Sequence, residues 1–273
     1  MSPLWRDEIG IFLGPTKVVL ARMKKGLRPK CVAEQGVSVE TAHCGDWQPA
    51  VDEMRRQLRN DLWHSANVRF VVSDHWARYA VLPWSADLTR LAERETHARL
   101  ILKNTYGDVA DDWAISIGES PPRTASVVSA IPIRLISELQ DLVAVFKLRL
   151  TSIQPHLIVA YNGWRARLPE AAAWFASIDE GSLAALHLTD GRCDRIRSVR
   201  LSDDWTVEMR RMQTIGRLAQ GRPAEGKVFV DAPTWLRAAA RTGTGTEALE
   251  WLEDKRPVQN IADKVSLLKA MYT

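Results

Sequence analysis

The chain is poor in the residues that most often announce chemistry. It holds three cysteines, Cys31, Cys44 and Cys193, with no Cys-x-x-Cys pair. That excludes a disulfide framework and fits reduced thiols in a cytosolic protein. His43, His64, His75, His97, His156 and His187 include no i, i+4 pair, so no helical zinc motif is present. No apolar run approaches the roughly 20 residues that span a bilayer, and the opening MSPLWRDE does not read as a secretory signal. No Gly-Lys-Ser/Thr is present, and Gly243-Thr-Gly-Thr reads as a flexible loop rather than a P-loop. Charge of one sign is lacking too. The net charge is +4, the pI is near 9.0, and bases alternate with acids throughout, as on a solvated surface. No RRM, helix-turn-helix or KH signature accompanies the basic balance, so nucleic acid is not an expected partner. Against four tyrosines and five phenylalanines stand eleven tryptophans. That is more than a core of this size needs, and it places some at a contact surface.

What is there begins with Glu8–Met23, EIGIFLGPTKVVLARM. It predicts two strands joined by a tight turn at Gly14-Pro15-Thr16. Ile9, Ile11, Phe12 and Leu13 crowd the first arm, and Val18, Val19, Leu20 and Ala21 the second. Such near-continuous apolar runs suit strands covered on both faces. A glycine turn of this kind can hold a phosphate on converging backbone N–H groups. Pro15, however, has no N–H, and Phe12 sits where a carboxylate would position Mg²⁺, a metal held by oxygen donors. The hairpin therefore reads as core. Its far end, with Arg22, Lys24, Lys25, Arg28 and Lys30, is basic; it reads as solvated surface, open to an acidic segment or anionic headgroups.

Further along, a third strand is expected over Lys30–Val39, then a helix capped by Asp46 and running to about Leu62. Strands are expected at Val68–Val72 and Trp76–Leu82, and a helix from Ser85 to Tyr106 that Gly107 ends. Strands at Trp113–Ile117 and Ala125–Ile131 flank the Pro121-Pro122 turn. A helix from Pro132 to Leu148, a strand at Arg149–Ile153 and a helix from Pro155 to Leu168 complete this half. At Ala173 the layout begins again. Strands Trp174–Asp179, Leu183–Leu188 and Asp194–Leu201 are separated by Glu180-Gly181-Ser182 and Asp190-Gly191, and a helix follows from Asp203 to Leu218. Strands at Lys227–Val230 and Ala248–Leu252 and helices near Trp235–Arg241 and Ile261–Tyr272 finish the chain. Strand–turn–strand–turn–strand–helix thus occurs twice, about half the chain apart, as in a duplicated unit.

The order of elements resembles the actin-like (sugar-kinase/Hsp70) ATPase fold. Two stretches, SDHWARYAVLPWS (Ser73–Ser85) and SIQPHLIVAYNGWRARL (Ser152–Leu168), are similar to the PilM/GspL family of type IV pilus and type II secretion platform proteins. The resemblance implies a two-lobed α/β fold, a ribonuclease H-like unit used twice. The first half is 1–168, with an inserted α/β subdomain at about 74–131, and the second half is 169–273. It also implies a nucleotide site whose first phosphate loop falls on Phe12, Gly14 and Thr16, where the acid is lost. The second falls on Asp179, Gly181 and Ser182, which match. The adenosine glycines, due after Val228–Val230, are replaced by Asp231-Ala232-Pro233, whose side chains obstruct close backbone approach.

Asp179 and Ser182 could hold a Mg²⁺-phosphate, or Asp179 could simply satisfy turn amides. Asp74-His75 and Asp111-Asp112 look like catalytic pairs, but no nucleophile signature or metal spacing accompanies them, and neighbours on a strand point to opposite faces. Trp76, Trp84 and Tyr79, near Arg78, could line a groove for a partner peptide, although core packing is the expected role of at least one of them. The expectation is a non-catalytic cytoplasmic scaffold at the inner-membrane face, with no cofactor. The resemblance implies as partners the tail of a PilN-like inner-membrane protein and the assembly ATPase. The alternative is an active ATPase or small-molecule kinase that binds ATP and Mg²⁺ through Gly14, Thr16, Asp179, Gly181 and Ser182.

Overall fold

The structure, a computed structural model, describes residues 6–24, 26, 30–179, 181–201, 207–208, 211, 227–233, 236 and 249–252. The chain divides into two compact units, one built from Met1–Trp76, Ile133–Gly163 and Asp254–Thr273, the other from Ala77–Pro132 and Trp164–Glu253.

The first unit is organised on a five-stranded sheet of β1 (Glu8–Leu13), β2 (Lys17–Lys24), β3 (Lys30–Ser38), β4 (Asn67–Val72) and β8 (Arg149–Pro155), in the order β3-β2-β1-β4-β8. The apolar hairpin is its centre: β1 pairs antiparallel with β2 and parallel with β4. Five of the six residues of β1 are buried, as a strand covered on both faces requires. Helix α1 (Gln48–Gln57) packs on the sheet through Ala50, Val51 and Met54. Asp46 accepts from the Gln48 N–H at its start. The helix stops five residues short of the expected Leu62. Asn60 Oδ1 takes the Leu62 N–H and starts a separate 3₁₀ turn, Asp61–Trp63, the local competition that makes Asn a poor helix-interior residue. Helix α3 (Ile133–Val145) ends with Lys147 in the left-handed region, φ 51°, and the Leu148 N–H reaches back to Val143 O at 3.0 Å. Helix α4 (His156–Trp164) follows β8 without a linker.

The second unit holds another five-stranded sheet of β9 (Ala173–Asp179), β10 (Ser182–Thr189), β11 (Arg192–Arg200), β12 (Lys227–Asp231) and β13 (Leu249–Trp251). Its order, β11-β10-β9-β12-β13, and its pairing senses repeat those of the first sheet strand for strand. The duplicated layout read from the sequence is therefore a duplicated topology. Asp190 and Gly191 both have positive φ (51° and 68°), the requirement of the two-residue turn that joins β10 to β11. The same unit contains a three-stranded antiparallel sheet of β5 (Arg78–Leu82), β6 (Trp113–Ile117) and β7 (Ser126–Pro132), in the order β5-β7-β6. Helix α2 (Leu91–Tyr106) buries Ala98 and Leu102 against Leu82, Trp113 and Val128. It starts at Leu91 rather than Ser85. Ser85 turns the chain by accepting the Leu88 and Asp87 N–H groups, and the helix opens where the Glu93 carboxylate accepts the Arg90 N–H at 3.1 Å. The expected helices at Asp203–Leu218, Trp235–Arg241 and Ile261–Tyr272 and the Gly243–Thr246 loop fall largely or wholly outside the described residues. Among the described residues, no helix is long and apolar enough to cross a membrane.

Candidate functional site

In an open sheet with parallel strands, ligands meet the carboxyl ends of those strands. In the first unit these ends coincide, Leu13 in register with Val72 and Val72 with Pro155. The residues just beyond them are Gly14-Pro15-Thr16, Ser73-Asp74-His75 and His156.

The hairpin turn has little to offer a phosphate. The Gly14 N–H is spent on Lys17 O at 2.9 Å, closing the hairpin, and Thr16 O accepts the Val39 N–H at 2.7 Å. Pro15 has no donor. Phe12, where the resemblance would put an acid, is fully buried among Val19, Ala21, Val71 and Val159.

Next to Phe12 the chain assembles a group that the sequence order hides. Asp74, 2% exposed, accepts the Leu157 N–H on Oδ1 at 3.1 Å, in the first turn of α4. His156 Nδ1 lies 3.6 Å from Asp74 Oδ2, and the imidazole meets the Phe12 ring edge-on at 5.9 Å. Asp74 therefore meets His156, a residue distant in sequence. The helix N-terminus, a ready anion site, already faces a carboxylate of the chain itself. Both side chains are walled from solvent, which suits positioning rather than turnover. The signal that could have found this is Pro155-His156 at a strand-to-helix junction. The Ser73–Trp76 turn is tied down by the Ser73 N–H to Leu13 O (2.8 Å), the Trp76 N–H to Ser73 O (3.1 Å) and Trp76 Nε1 to Cys44 O (3.1 Å).

In the second unit, Asp179 and Ser182 face each other across the hairpin and are buried, at 0% and 2% exposure. Gly181 between them adopts φ 85°, a conformation that glycine reaches without strain. Its carbonyl accepts the Leu201 N–H at 2.7 Å. Glu180 lies outside the described residues. Parallel strand β12 ends at Asp231, opposite Ser177, and the next two residues, Ala232 and Pro233, are buried.

The four candidate partner residues do not form one open surface. Trp76 and Tyr79 are core residues, each 4% exposed. Arg78 lies over the Trp113 ring at 5.9 Å and donates to Ala77 O. Burial is the main reason its pKa is lowered; nearby Arg200 adds to this, and Tyr106 and Tyr79 oppose it. Only Trp84 is open, at 51% exposure. It borders a cavity of about 340 Å³ lined also by Pro83, Arg94, Pro121, Arg123 and Ser126. Arg94 donates to Ser126 Oγ at 2.8 Å there.

Other candidates have structural work. Asp111 pairs with Lys103 at 2.7 Å, and with Asp108 it raises that lysine's pKa. Arg22 is a clamp rather than a free base. It holds Asp7 at 2.9 Å and donates to Leu62 O and His64 O. Lys24 and Lys30 face each other across the hairpin, while Lys25 and Arg28 lie outside the described residues. Among the described residues, no group of three or more His, Cys, Asp or Glu is placed to hold a metal.

Two sheets of one topology, a small α/β sheet between them in the chain, and glycine turns at matching hairpins define the actin-like ATPase fold. Comparison with solved structures agrees. The chain is similar to a chain of the PilM–PilN type IV pilus biogenesis complex, with TM-score 0.69 and 13% identity over 96% of both chains. It is similar to the cytoplasmic domain of EpsL, an inner membrane component of the type II secretion system of Vibrio cholerae. There the TM-score is 0.53 and the identity 10%, over 98% of this chain and 95% of that one. A Bacteroides thetaiotaomicron protein with an actin-like ATPase fold aligns at TM-score 0.60 and 9% identity, over 98% and 99%. No family model and no curated protein matches the chain.

Proposed function

We propose that the chain is a non-catalytic scaffold of a type IV pilus or type II secretion machine. It works at the cytoplasmic face of the inner membrane, where it binds the cytoplasmic tail of a PilN-like membrane partner. The observation that carries the reading is the near end-to-end likeness to the pilus complex chain and to the cytoplasmic EpsL domain. The buried Phe12 supports the non-catalytic part, because a phenyl ring stands where a carboxylate would position Mg²⁺. The assembly ATPase is the second partner in this reading. A pull-down with the cytoplasmic tails encoded beside this gene tests it. Saturable capture of one tail is expected, and failure with every neighbouring tail removes the reading.

One observation favours a second function, an ATP-binding ATPase or small-molecule kinase. The Asp179-Gly181-Ser182 turn keeps the acid, the left-handed glycine and the hydroxyl of a phosphate loop. Titration calorimetry with Mg-ATP separates the two. Micromolar binding lost in Asp179→Ala would establish the second reading, and no heat of binding would leave the scaffold.

A further inference from the structure

Helix α2 and the small sheet of the second unit border a cavity that the scaffold reading does not use. It holds about 340 Å³, at the lower end of the range of sites that take small ligands. Trp84, Pro83, Leu88 and the Pro121-Pro122 turn supply its apolar wall, and Arg94 and Arg123 its cations. None of the described residues that line it is Asp or Glu.

The inner cation is set by a chain of hydroxyls. Arg94, half-buried, donates from Nη2 to Ser126 Oγ at 2.8 Å, and Ser126 Oγ meets Ser120 Oγ at 2.7 Å. Ser126 is 2% exposed. Having accepted from Arg94, it places its own proton on Ser120, the hydroxyl within reach, and so stays satisfied in a buried position. The Ser120 proton and the rest of the guanidinium fork are left for the cavity. Among the described residues Arg94 meets no carboxylate, and Ser126 is its one side-chain hydrogen-bond partner. Arg123 is exposed, on a turn where its φ is 62°, a conformation that a residue with a side chain seldom adopts.

The rim carries the opposite sign. Asp87, Glu95 and Glu119 are exposed, each one residue from a lining residue. These carboxylates repel a polyanion, whether a membrane surface, a nucleic acid or a run of acids. A single negative charge within the cavity meets Arg94 with no lining acid to compete. One anchored guanidinium matches one unit charge, and its planar fork matches the two oxygens of a carboxylate better than a phosphate dianion.

We infer that this cavity binds the free C-terminus of a peptide whose last residue is apolar. A terminal residue carries its carboxylate and its apolar side chain on one Cα. That suits a small cavity lined by both a guanidinium and a Trp–Pro wall, and capture of a chain end is a recurring mode of peptide recognition. An internal Asp or Glu needs room for the backbone to leave in both directions. The inference does not rest on the scaffold reading, and its failure leaves that reading as it stands.

The test is fluorescence anisotropy of the full chain with N-terminally labelled hexapeptides ending in Leu, Phe or Gly, each as free acid and as amide. An amidated peptide with an internal Glu beside Leu, and competition with inorganic phosphate, complete the series. The Leu and Phe acids are expected to bind saturably, about tenfold tighter than their amides, the scale of a hydrogen bond to a charged group. They should bind several-fold tighter than the Gly acid and the internal-Glu peptide. Arg94→Gln should abolish the preference for acid over amide, and Arg94→Lys, which keeps the charge without the fork, should restore only part of it. Trp84→Ala should weaken the acids several-fold and leave the acid-to-amide ratio unchanged. Arg134→Gln, at an exposed arginine of α3, controls for net charge and should change nothing. Thermal melts confirm that each variant is folded. Equal binding of acids and amides, a preference kept by folded Arg94→Gln, or equal binding of the internal-Glu peptide would overturn the inference. So would displacement by phosphate, or no saturable binding by any peptide.

Discussion

Phe12 is the sharpest place to test whether the first turn has been given over to packing. It is fully buried in the central strand, against Val19, Ala21, Val71 and Val159, with its ring edge-on to His156. Three substitutions grade what the ring does. Phe12→Leu keeps an apolar side chain and loses shape and ring contact, and should cost about 1–2 kcal/mol. Phe12→Ala leaves a cavity that a central strand cannot collapse, at about 3–5 kcal/mol. Phe12→Asp restores the acid that a nucleotide user would place there. It loses the same packing and buries a carboxylate with no cation beside it, so its cost should exceed that of alanine. Against a total stability on the order of 5–15 kcal/mol, that variant is expected to leave the first unit largely unfolded. Urea unfolding followed by tryptophan fluorescence measures the series, with Mg-ATP titration of each folded variant. A Phe12→Asp chain that stays near wild-type stability and gains Mg-ATP binding would refute the reasoning. So would a Phe12→Ala cost below about 1 kcal/mol, which would mean the site collapses freely.

Asp74→Ala removes the cap on α4 and should destabilise by about 1–3 kcal/mol in denaturant melts, with Asp74→Asn recovering most of it because the amide oxygen can still accept from Leu157. Arg22→Lys should behave nearly as badly as Arg22→Ala, since one ammonium cannot hold Asp7 and the carbonyls of Leu62 and His64 together; faster amide exchange around His64 would report it. Trp84→Ala should change stability by less than about 0.5 kcal/mol, whereas Trp63→Ala, fully buried, should cost about 3–5 kcal/mol in the same assay. Burial, with the Asp194 charge adding to it, pushes the Cys193 thiol up to about 12, so at pH 8 its thiolate is scarce; mass spectrometry after iodoacetamide should find exposed Cys44 alkylated long before Cys193.

The strands of both sheets could be read from apolar runs and turn residues, because a central strand advertises itself by composition and a two-residue turn by Asp-Gly. Strand β6 falls on the expected residues, Trp113–Ile117. Helix ends were less legible. At Asn60 and Ser85 a side chain competes for a backbone N–H, and that competition, not periodicity, decides where the helix begins or stops. Of the candidate site, the turns and the missing acid at position 12 were visible as motifs. The Asp74–His156 contact was not, since it joins residues that only the pairing of β4 with β8 brings together. Core packing was expected for at least one of Trp76, Tyr79 and Trp84, but not which, because an amphipathic aromatic reads alike at a surface and in a core.

The discontinuity of the first unit has a consequence for how the chain is made. Strand β4 leaves the ribosome with one neighbour, β1, already present, but its other edge waits for β8, whose Thr151 meets Val68 across 83 residues of later synthesis. The intervening small sheet is local in sequence and can close while that edge is still bare. During translation, then, a row of unpaired amides on an apolar strand stands open to trespass by neighbouring nascent chains. Pausing synthesis just before residue 149 should be the moment of greatest aggregation and of greatest chaperone occupancy.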